Sequence, residues 1–330
     1  MSHTLFTQMP LIAPIQSALQ ATGYTQPTPI QEQAIPLILN QHDLLGIAQT
    51  GTGKTAAFCL PIIQNLYKNP RKVKSYTPRV LILASTRELC LQIHQNLTVY
   101  SQFSKLTSAV IFGGVGQSPQ VKALASGIDI LVATTGRLMD LVQQGYVKLD
   151  AIEVFVLDEA DRMLDMGFFP DINRIITMIP KKRQNLFFSA TMQKEVDVLA
   201  RKILTDPKKV EVTPQSKTAD RVIQSAYFVE RMHKQDLLIH LLKDNSFFKV
   251  MIFVEMKHAA NKLTEKLQSV GISAAAIHSD KSQGARQRAL EDFKQDKVRV
   301  LVATDIAARG IDVDGITHVI NYDLSHMTES

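Results

Sequence analysis

The sequence predicts an α/β protein with two similar parallel-sheet lobes in tandem. Short β-branched, apolar runs alternate with amphipathic helical patterns, and strands that are apolar throughout are typical of a parallel sheet covered on both faces. The alternation breaks at TDPKKVEVTPQSKTAD, residues 205–220, where prolines and polar residues favour a linker. A chain of 330 residues also suits two domains of roughly 100–200 residues each.

The elements follow in order along the chain. In residues 1–205 we predict strands over 43–48, 79–84, 107–112, 128–133, 153–157 and 185–188, and helices over 54–67, 87–100, 117–126, 136–144, 167–178 and 193–204. Residues 206–220 form the predicted linker. In residues 221–330 we predict strands near 222–229, 249–254, 272–277, 298–303 and 317–322, and helices over 233–243, 257–270 and 283–294.

The composition is that of an ordinary globular protein, with 45% hydrophobic and 21% charged residues. The net charge of +6 permits nucleic-acid binding through phosphate contacts but does not demonstrate it. No apolar stretch reaches the ~18 residues of a membrane span, and the start lacks the pattern of a secretory signal. Cys59 and Cys90 have no metal-like spacing, so we interpret them as reduced packing residues of a cytoplasmic protein.

A glycine-rich segment, AQTGTGKT at 48–55, stands between a predicted strand and a predicted helix. Gly51 and Gly53 allow successive backbone N–H groups to turn inward around phosphate oxygens, and the helix N-terminus adds partial positive charge. Lys54 can reach the β and γ phosphates, and the Thr55 hydroxyl can bind Mg²⁺. The pattern has Ala48 where the stricter phosphate-loop motif has glycine.

Four acids follow the apolar run of VFVLDEADRMLDMGF at 154–168. In phosphate-loop enzymes an aspartate at the end of another strand holds Mg²⁺, and Asp158 stands at such a place. Glu159 is suited to orient and deprotonate an attacking water. Asp161 and Asp165 fit, in part, a solvated helix start, because acids favour the first turn of a helix.

Together these segments resemble a family. DEAD at 158–161 with AQTGTGKT at 48–55 is similar to the DEAD-box ATP-dependent RNA helicases of superfamily 2, which have two RecA-like domains. The order of GYTQPTPIQ (23–31), STREL (85–89), GG (113–114), TTGR (134–137), SAT (189–191), QGAR (283–286) and ATDIAARGID (303–312) extends the resemblance over nearly the whole chain. DEADRMLDMGF and KSQGAR are similar to the bacterial RhlE-type branch.

The resemblance implies an ATP site. GYTQPTPIQ corresponds to the adenine-reading motif, in which the Gln31 amide can both donate and accept and Tyr24 offers a ring for stacking. Ser189 and Thr191 would link the ATP site to lobe movement. The implied nucleotide-binding residues are Tyr24, Thr28, Gln31, Ala48, Gln49, Thr50, Gly51, Thr52, Gly53, Lys54, Thr55, Gly310 and Asp312. The implied magnesium ligands are Thr55 and Asp158, and the implied catalytic residues are Lys54, Asp158, Glu159, Ser189 and Thr191.

The resemblance also implies an RNA site with backbone contacts, since arginines, hydroxyls and glycine amides suit phosphates and 2′-hydroxyls. The implied residues are Thr86, Arg87, Gly114, Thr134 and Arg137 in the first lobe and Gln283, Arg286 and Thr304 in the second. No base-reading pattern occurs, so we expect largely sequence-independent binding. Partners among ribosome-assembly or RNA-decay proteins are implied, and no membrane. His94 and His278 are lone histidines. His94 lies in a helical stretch and nothing pairs it with a nucleophile, so we expect it at the surface without a catalytic role.

The chain departs from the family's pattern at identifiable positions. Ser85 and Thr135 stand where the family usually has proline, Ser279 replaces a glycine and Ser325 a proline; we expect weaker RNA affinity at most. The match stops at HVINYDLSHMTES, before the family's arginine-rich motif. That motif supplies an arginine finger, whose loss can cost ~10³–10⁵ in rate. We therefore expect the second domain to be incomplete and this chain to bind ATP but unwind poorly.

Two other functions fit the same residues. The chain could act as an ATP-dependent RNA clamp or scaffold with little catalysis, which a duplex-displacement assay would distinguish. It could also be a DNA translocase of the same superfamily, in which case DNA would stimulate the ATPase as well as RNA does.

Overall fold

The computed structural model describes residues 4–212, 222–308 and 313–324. The chain divides into two compact units, Met1–Thr218 and Ala219–Ser330. Each is an α/β unit in which every pair of neighbouring strands runs parallel. The predicted fold class, two parallel-sheet domains in tandem, is confirmed.

Unit 1 has a seven-stranded sheet in the order β3-β4-β2-β5-β6-β1-β7. Its strands are β1 (Leu44–Ile47), β2 (Val80–Leu83), β3 (Ser108–Ile111), β4 (Ile130–Ala133), β5 (Val154–Leu157), β6 (Gln184–Ser189) and β7 (Lys208–Glu211). Its helices are α1 (Ala13–Ala21), α2 (Pro29–Leu39), α3 (Lys54–Lys68), α4 (Arg87–Tyr100), α5 (Ser118–Ala125), α6 (Thr135–Gln143), α7 (Ala160–Asp165), α8 (Phe169–Met178) and α9 (Lys194–Ile203), and a short 3-10 helix covers Phe6–Gln8.

Unit 2 has a four-stranded sheet in the order β11-β8-β10-β9. Its strands are β8 (Val250–Phe253), β9 (Ala274–Ile277), β10 (Val300–Ala303) and β11 (His318–Asn321). Its helices are α10 (Lys234–Leu241), α11 (Lys257–Ser269), α12 (Gln283–Lys294) and α13 (Asp305–Ala308), preceded by a 3-10 helix over Arg231–His233.

The central strands of unit 1 are buried on both faces. In β2, Val80 and Ile82 belong to one hydrophobic cluster, whereas Leu81 and Leu83 belong to another on the opposite face. Successive side chains of a strand point to opposite faces, so an uninterrupted apolar run supplies two cores at once. This explains why the strands have the composition VLIL, ILVA and VFVL rather than an alternating pattern.

Two sequence predictions about the boundary region are wrong. The linker prediction for 206–220 fails in its first part, because β7 (Lys208–Glu211) pairs with β1 as the edge strand of the unit 1 sheet. Charged residues fit an edge strand, where only Val210 of the four is buried. The strand predicted near 222–229 is absent from its described residues, which carry no regular secondary structure and are exposed. Residues 213–220 lie outside the described part of the chain.

A helix that spans a membrane would need to be long and apolar throughout. Among residues 4–212, 222–308 and 313–324, no helix meets both conditions.

Candidate active site

Three neighbouring strands of unit 1 bring the predicted ATP-site residues to one edge of the sheet. β5, β6 and β1 are adjacent, and they end immediately before Asp158, at Ser189 and before Ala48, respectively. The Ala48 amide donates to the Ser189 carbonyl oxygen at 3.0 Å. Because the strands are parallel, their carboxyl ends lie together, which is where ligands of open α/β sheets bind.

The glycine-rich segment 48–55 has two glycines in the left-handed region of the backbone and leads directly into α3. Gly51 and Gly53 have φ values of +80° and +91°, which glycine adopts without steric cost, and Gly53 caps α3. Lys54 is only 7% exposed, and its Nζ donates to the Ala48 carbonyl oxygen at 2.8 Å. The ammonium therefore folds back over its own loop, at the end of the helix that attracts anions.

Gln31 joins the start of α2 to this loop. Its Nε2 donates to the Gly53 carbonyl oxygen at 3.0 Å, and its Oε1 accepts from the Thr28 amide at 3.0 Å. A Cβ at Gly53 would collide with the Gln31 amide, so a larger residue there would have to displace that amide and would also be strained by the positive φ. The amide keeps one N–H and one lone pair, and its predicted contact with adenine stays a prediction.

Of the other predicted nucleotide contacts, Thr50, Thr52 and Thr55 belong to the segment 48–55 itself. The Thr52 hydroxyl donates to the Gln49 carbonyl oxygen at 2.7 Å, Thr50 is exposed, and Thr55 is half-buried in the first turn of α3. Tyr24 is 45% exposed, and its ring lies 6.3 Å from that of Tyr100 between centroids. Stacking of Tyr24 on adenine stays a prediction. Gly310 and Asp312 lie outside the described residues.

Asp158 is a buried acid beside a buried lysine. It is 2% exposed, and its Oδ1 accepts from the Glu159 amide at 3.0 Å. Burial raises the pKa of Asp158 from its ordinary value of 3.8 to about 6; Lys54 opposes this shift, whereas Glu159 and Asp161 add to it. Lys54 is thus a positive partner of the acid cluster, and it compensates only part of the cost of burying the charge.

This raised pKa makes a prediction about stability. Because the folded-state pKa lies above the unfolded value, the charged carboxylate costs stability above pH 6, and the cost shrinks as the pH falls toward 4. We expect Asp158→Asn to raise the unfolding free energy of the nucleotide-free protein by about 1–3 kcal/mol at pH 7.5. Thermal melts at pH 7.5 and 5 should show the gain falling by about half. Asp165→Asn is the control, because Asp165 is exposed. A stability gain of Asp158→Asn that does not depend on pH would contradict the prediction.

Glu159 is held at both carboxylate oxygens. Oε1 accepts from Arg162 Nη1 at 2.8 Å, and Oε2 accepts from the Ser85 hydroxyl at 2.7 Å. The residue is 4% exposed. Its backbone has φ 53° and ψ 51°, a left-handed conformation that is uncommon for residues other than glycine. Such strain persists where surrounding contacts over-determine it, often at functional sites.

Asp161 is not the solvated acid that we expected. It does lie in the first turn of α7, but it is 8% exposed. Its Oδ2 accepts from the Ala190 amide at 3.1 Å, the Thr191 amide at 2.9 Å and the Thr191 hydroxyl at 3.1 Å. Sequence reasoning missed this role, although an acid three residues after Asp158 and a hydroxyl-rich segment after another strand were both visible. Asp165 is exposed, as expected.

The segment 189–191 is fixed from both sides. Ser189 is fully buried, and its hydroxyl donates to the Thr191 carbonyl oxygen at 2.7 Å. Through Asp161, the segment after β6 is therefore bonded to α7, the helix that directly follows Asp158 and Glu159. This arrangement gives Ser189 and Thr191 a path to Asp158 and Glu159, although the predicted link to lobe movement stays a prediction.

Two of the predicted RNA contacts of unit 1, Arg87 and Arg137, lie against a second loop, residues 113–116. The Arg87 guanidinium fills the space over Gly114, where a Cβ would collide with it. Arg137 donates from Nη2 to the Val115 carbonyl oxygen at 3.1 Å. Thr86 begins α4, accepting from the Leu89 amide at 3.2 Å, and Thr134 begins α6. The structure thus brings two arginines to one loop at the carboxyl edge of the sheet.

The predicted RNA contacts of unit 2 also lie at a carboxyl edge. β9 and β10 are paired, Thr304 follows β10, and its amide donates to the Ile277 carbonyl oxygen at 3.2 Å. Gln283 begins α12, where Arg286 also lies. His278, after β9, contacts Asn261 Oδ1 through Nε2 at 2.9 Å. His94, which we expected at the surface, is half-buried in α4, with Nε2 3.4 Å from the Ser108 carbonyl oxygen.

A phosphate loop that opens a helix, with two buried acids at a nearby strand end, defines the class of nucleoside-triphosphate-dependent α/β enzymes. Two protein-family models match the chain. The family "DEAD/DEAH box helicase" matches residues 28–199, and the family "Helicase conserved C-terminal domain" matches residues 233–330. The chain therefore belongs to the DEAD-box RNA helicase family.

Known proteins are similar over most of the chain. ATP-dependent RNA helicase RhlB of Pseudomonas aeruginosa (strain UCBPP-PA14) is 44% identical over 326 residues, which are 97% of this chain and 82% of RhlB. A crystallised DEAD box protein from Methanococcus jannaschii is 36% identical with a TM-score of 0.59, covering 98% of this chain and 86% of that one. Saccharomyces cerevisiae Dbp5, in a structure bound to Gle1 and IP6, is 30% identical with a TM-score of 0.73. The match covers 99% of this chain and 81% of the Dbp5 chain. The RhlE-type branch is not confirmed by these relatives.

Proposed function

We propose that this protein binds Mg²⁺-ATP in unit 1 and couples its hydrolysis to RNA clamping and local separation of RNA duplexes. The observation that carries the proposal is the placement of Lys54, Asp158 and Glu159 together at the ends of β1 and β5, around a loop built for phosphate. Relatives named ATP-dependent RNA helicases support the same function.

Each site residue has a chemical part in hydrolysis. The loop amides and Lys54 would hold the β and γ phosphates and offset their negative charge. Glu159 would orient the attacking water and accept its proton as the water oxygen bonds to the γ phosphorus. The bond from that phosphorus to the β–γ bridging oxygen breaks, and ADP leaves with the electron pair. Positioning and charge stabilisation supply most of the catalysis in such reactions.

Thr55 and Asp158 would hold the magnesium ion, and the residues fit that ion. Mg²⁺ takes oxygen ligands and is commonly bound through one or two carboxylates plus substrate phosphates. Asp158 is a buried carboxylate whose charge Lys54 compensates only in part, so a cation would stabilise it. Among the described residues there is no group of three or more His, Cys, Asp or Glu that could hold a metal ion. When bound, Mg²⁺ would neutralise charge that develops on the phosphates.

Steady-state ATPase rates with and without RNA test this function. We expect single-stranded RNA to stimulate hydrolysis and DNA of the same sequence to do so poorly; equal stimulation by DNA would instead support a translocase. A duplex-displacement assay on the same protein separates a helicase from an RNA clamp that hydrolyses little ATP. The expectation that this chain unwinds poorly stays a prediction, and the same assay decides it. The expected partners in ribosome assembly or RNA decay also stay a prediction.

The two arginines at loop 113–116 give a further prediction. Arg87→Ala and Arg137→Ala should each weaken RNA binding to a similar degree for all sequences, because phosphate contacts carry no sequence information. Each variant should also reduce the slope of the logarithm of the RNA-binding constant against the logarithm of salt concentration by about 1, the contribution of one phosphate contact. Fluorescence anisotropy at several salt concentrations measures both effects. Arg71→Ala is the control, since Arg71 precedes β2, at the opposite edge of the sheet, and pairs with Glu153.

A further inference from the structure

Ser85 and Glu159 stand side by side because of the strand register. β2 and β5 are paired with Leu83 opposite Leu157, and Ser85 and Glu159 each follow two residues later. Both residues are 4% exposed. The Ser85 hydroxyl donates to Glu159 Oε2 at 2.7 Å, a length typical of a hydrogen bond to a charged acceptor.

We propose that Ser85 is a positioning residue that fixes the Glu159 carboxylate for catalysis. The inference rests on the proposed function, in which Glu159 orients and deprotonates the attacking water. Ser85 itself touches neither the phosphates nor the water in this scheme. Its contribution is to hold one carboxylate oxygen in place.

The contact matters because few other groups restrain that carboxylate. A glutamate side chain has three rotatable bonds, and Arg162, which holds Oε1, has a side chain that is 30% exposed. Without the Ser85 hydroxyl, Oε2 of a carboxylate that is only 4% exposed would lose its donor, a cost that favours rearrangement. A displacement of about 1 Å in a catalytic group can cost up to ~10²-fold in rate.

The contact changes the expectation for Ser85, which the resemblance set at a position where the family usually has proline. We expected this substitution only to weaken RNA binding, through looser loop structure. The structure assigns the serine a direct contact with the acid instead, so the affected quantity should be the catalytic rate rather than RNA affinity.

Ser85→Ala tests the proposal. We expect kcat to fall about tenfold both with and without RNA, whereas the KM for ATP and the half-saturating RNA concentration change less than about twofold. Ser85→Thr, which keeps the hydroxyl, should restore most of the rate. Ser101→Ala is the matched control, because the Ser101 hydroxyl bonds only its own helix at the Leu97 carbonyl oxygen.

A second variant pair shows whether Ser85 acts through Glu159. In a Glu159→Gln background, Ser85→Ala should have no further effect on the residual rate. The Ser85 hydroxyl can no longer position a carboxylate base once that base has been replaced by an amide. The proposal is overturned if Ser85→Ala, with an unchanged melting temperature, leaves kcat unchanged or raises it, or if its effect persists fully beside Glu159→Gln. If the wild-type chain neither binds nor hydrolyses ATP, the proposed function itself fails; if the wild-type chain hydrolyses ATP and only Ser85→Ala lacks an effect, this inference alone fails.

Discussion

Glu159→Gln should lower the RNA-stimulated ATPase rate by about 10²–10⁴-fold, the usual contribution of a positioned general base. The amide of glutamine keeps the shape of the side chain but cannot take the proton of the attacking water. ATP binding should survive, because the phosphate loop and Asp158 are unchanged. A coupled-enzyme assay measures the rate, and equilibrium binding of a fluorescent ATP analogue measures the affinity.

Asp165→Asn is the matched control for Glu159→Gln. Asp165 belongs to the same run of four acids but is exposed at the end of α7, so its neutralisation should leave the rate within about twofold. Equal losses in the two variants would show that the cluster acts through its total charge. Full activity of Glu159→Gln would remove Glu159 from the mechanism and would require another base.

Lys54→Ala should lower kcat/KM for ATP by about 10²–10³-fold, the scale of losing one preorganised charge-stabilising donor. The loss should appear in binding as well as in rate, because the ammonium would contact the phosphates in both the ground state and the transition state. Isothermal titration calorimetry with ATP and the ATPase assay together separate the two effects. Lys68→Ala provides the control at the opposite, exposed end of the same helix.

Lys54→Ala should also change the stability of the nucleotide-free protein. Lys54 lowers the pKa of Asp158 against the dominant effect of burial, so its removal should raise that pKa further. A raised folded-state pKa costs stability above the pKa and not below the unfolded value. Lys54→Ala should therefore destabilise the protein more at pH 7.5 than at pH 5 in thermal melts. A pH-independent loss would show that Lys54 stabilises the site only by packing.

Much of the first unit could be predicted from local patterns. Runs such as VLIL and VFVL, separated by helical segments, were enough for the parallel sheet, since a strand buried on both faces has no polar side to display. The glycine loop at 48–55 and the acid at 158 could be placed on strand ends for the same reason. The failures lay where local composition misleads. Charged residues at 208–211 indicate a loop, yet the backbone pairs with β1 at the sheet edge.

The sequence by itself determined the fold class, the glycine-rich loop and the position of the acid after β5. Each of these can be read from a pattern of residues that are neighbours in the chain. Only the tertiary structure decided the partners of the acids. Asp161 bonds the segment 189–191, and Ser85 bonds Glu159 across 74 positions of the chain. Such contacts depend on which strands are neighbours and in what register they pair, and that order is set by packing of the whole sheet rather than by any single segment.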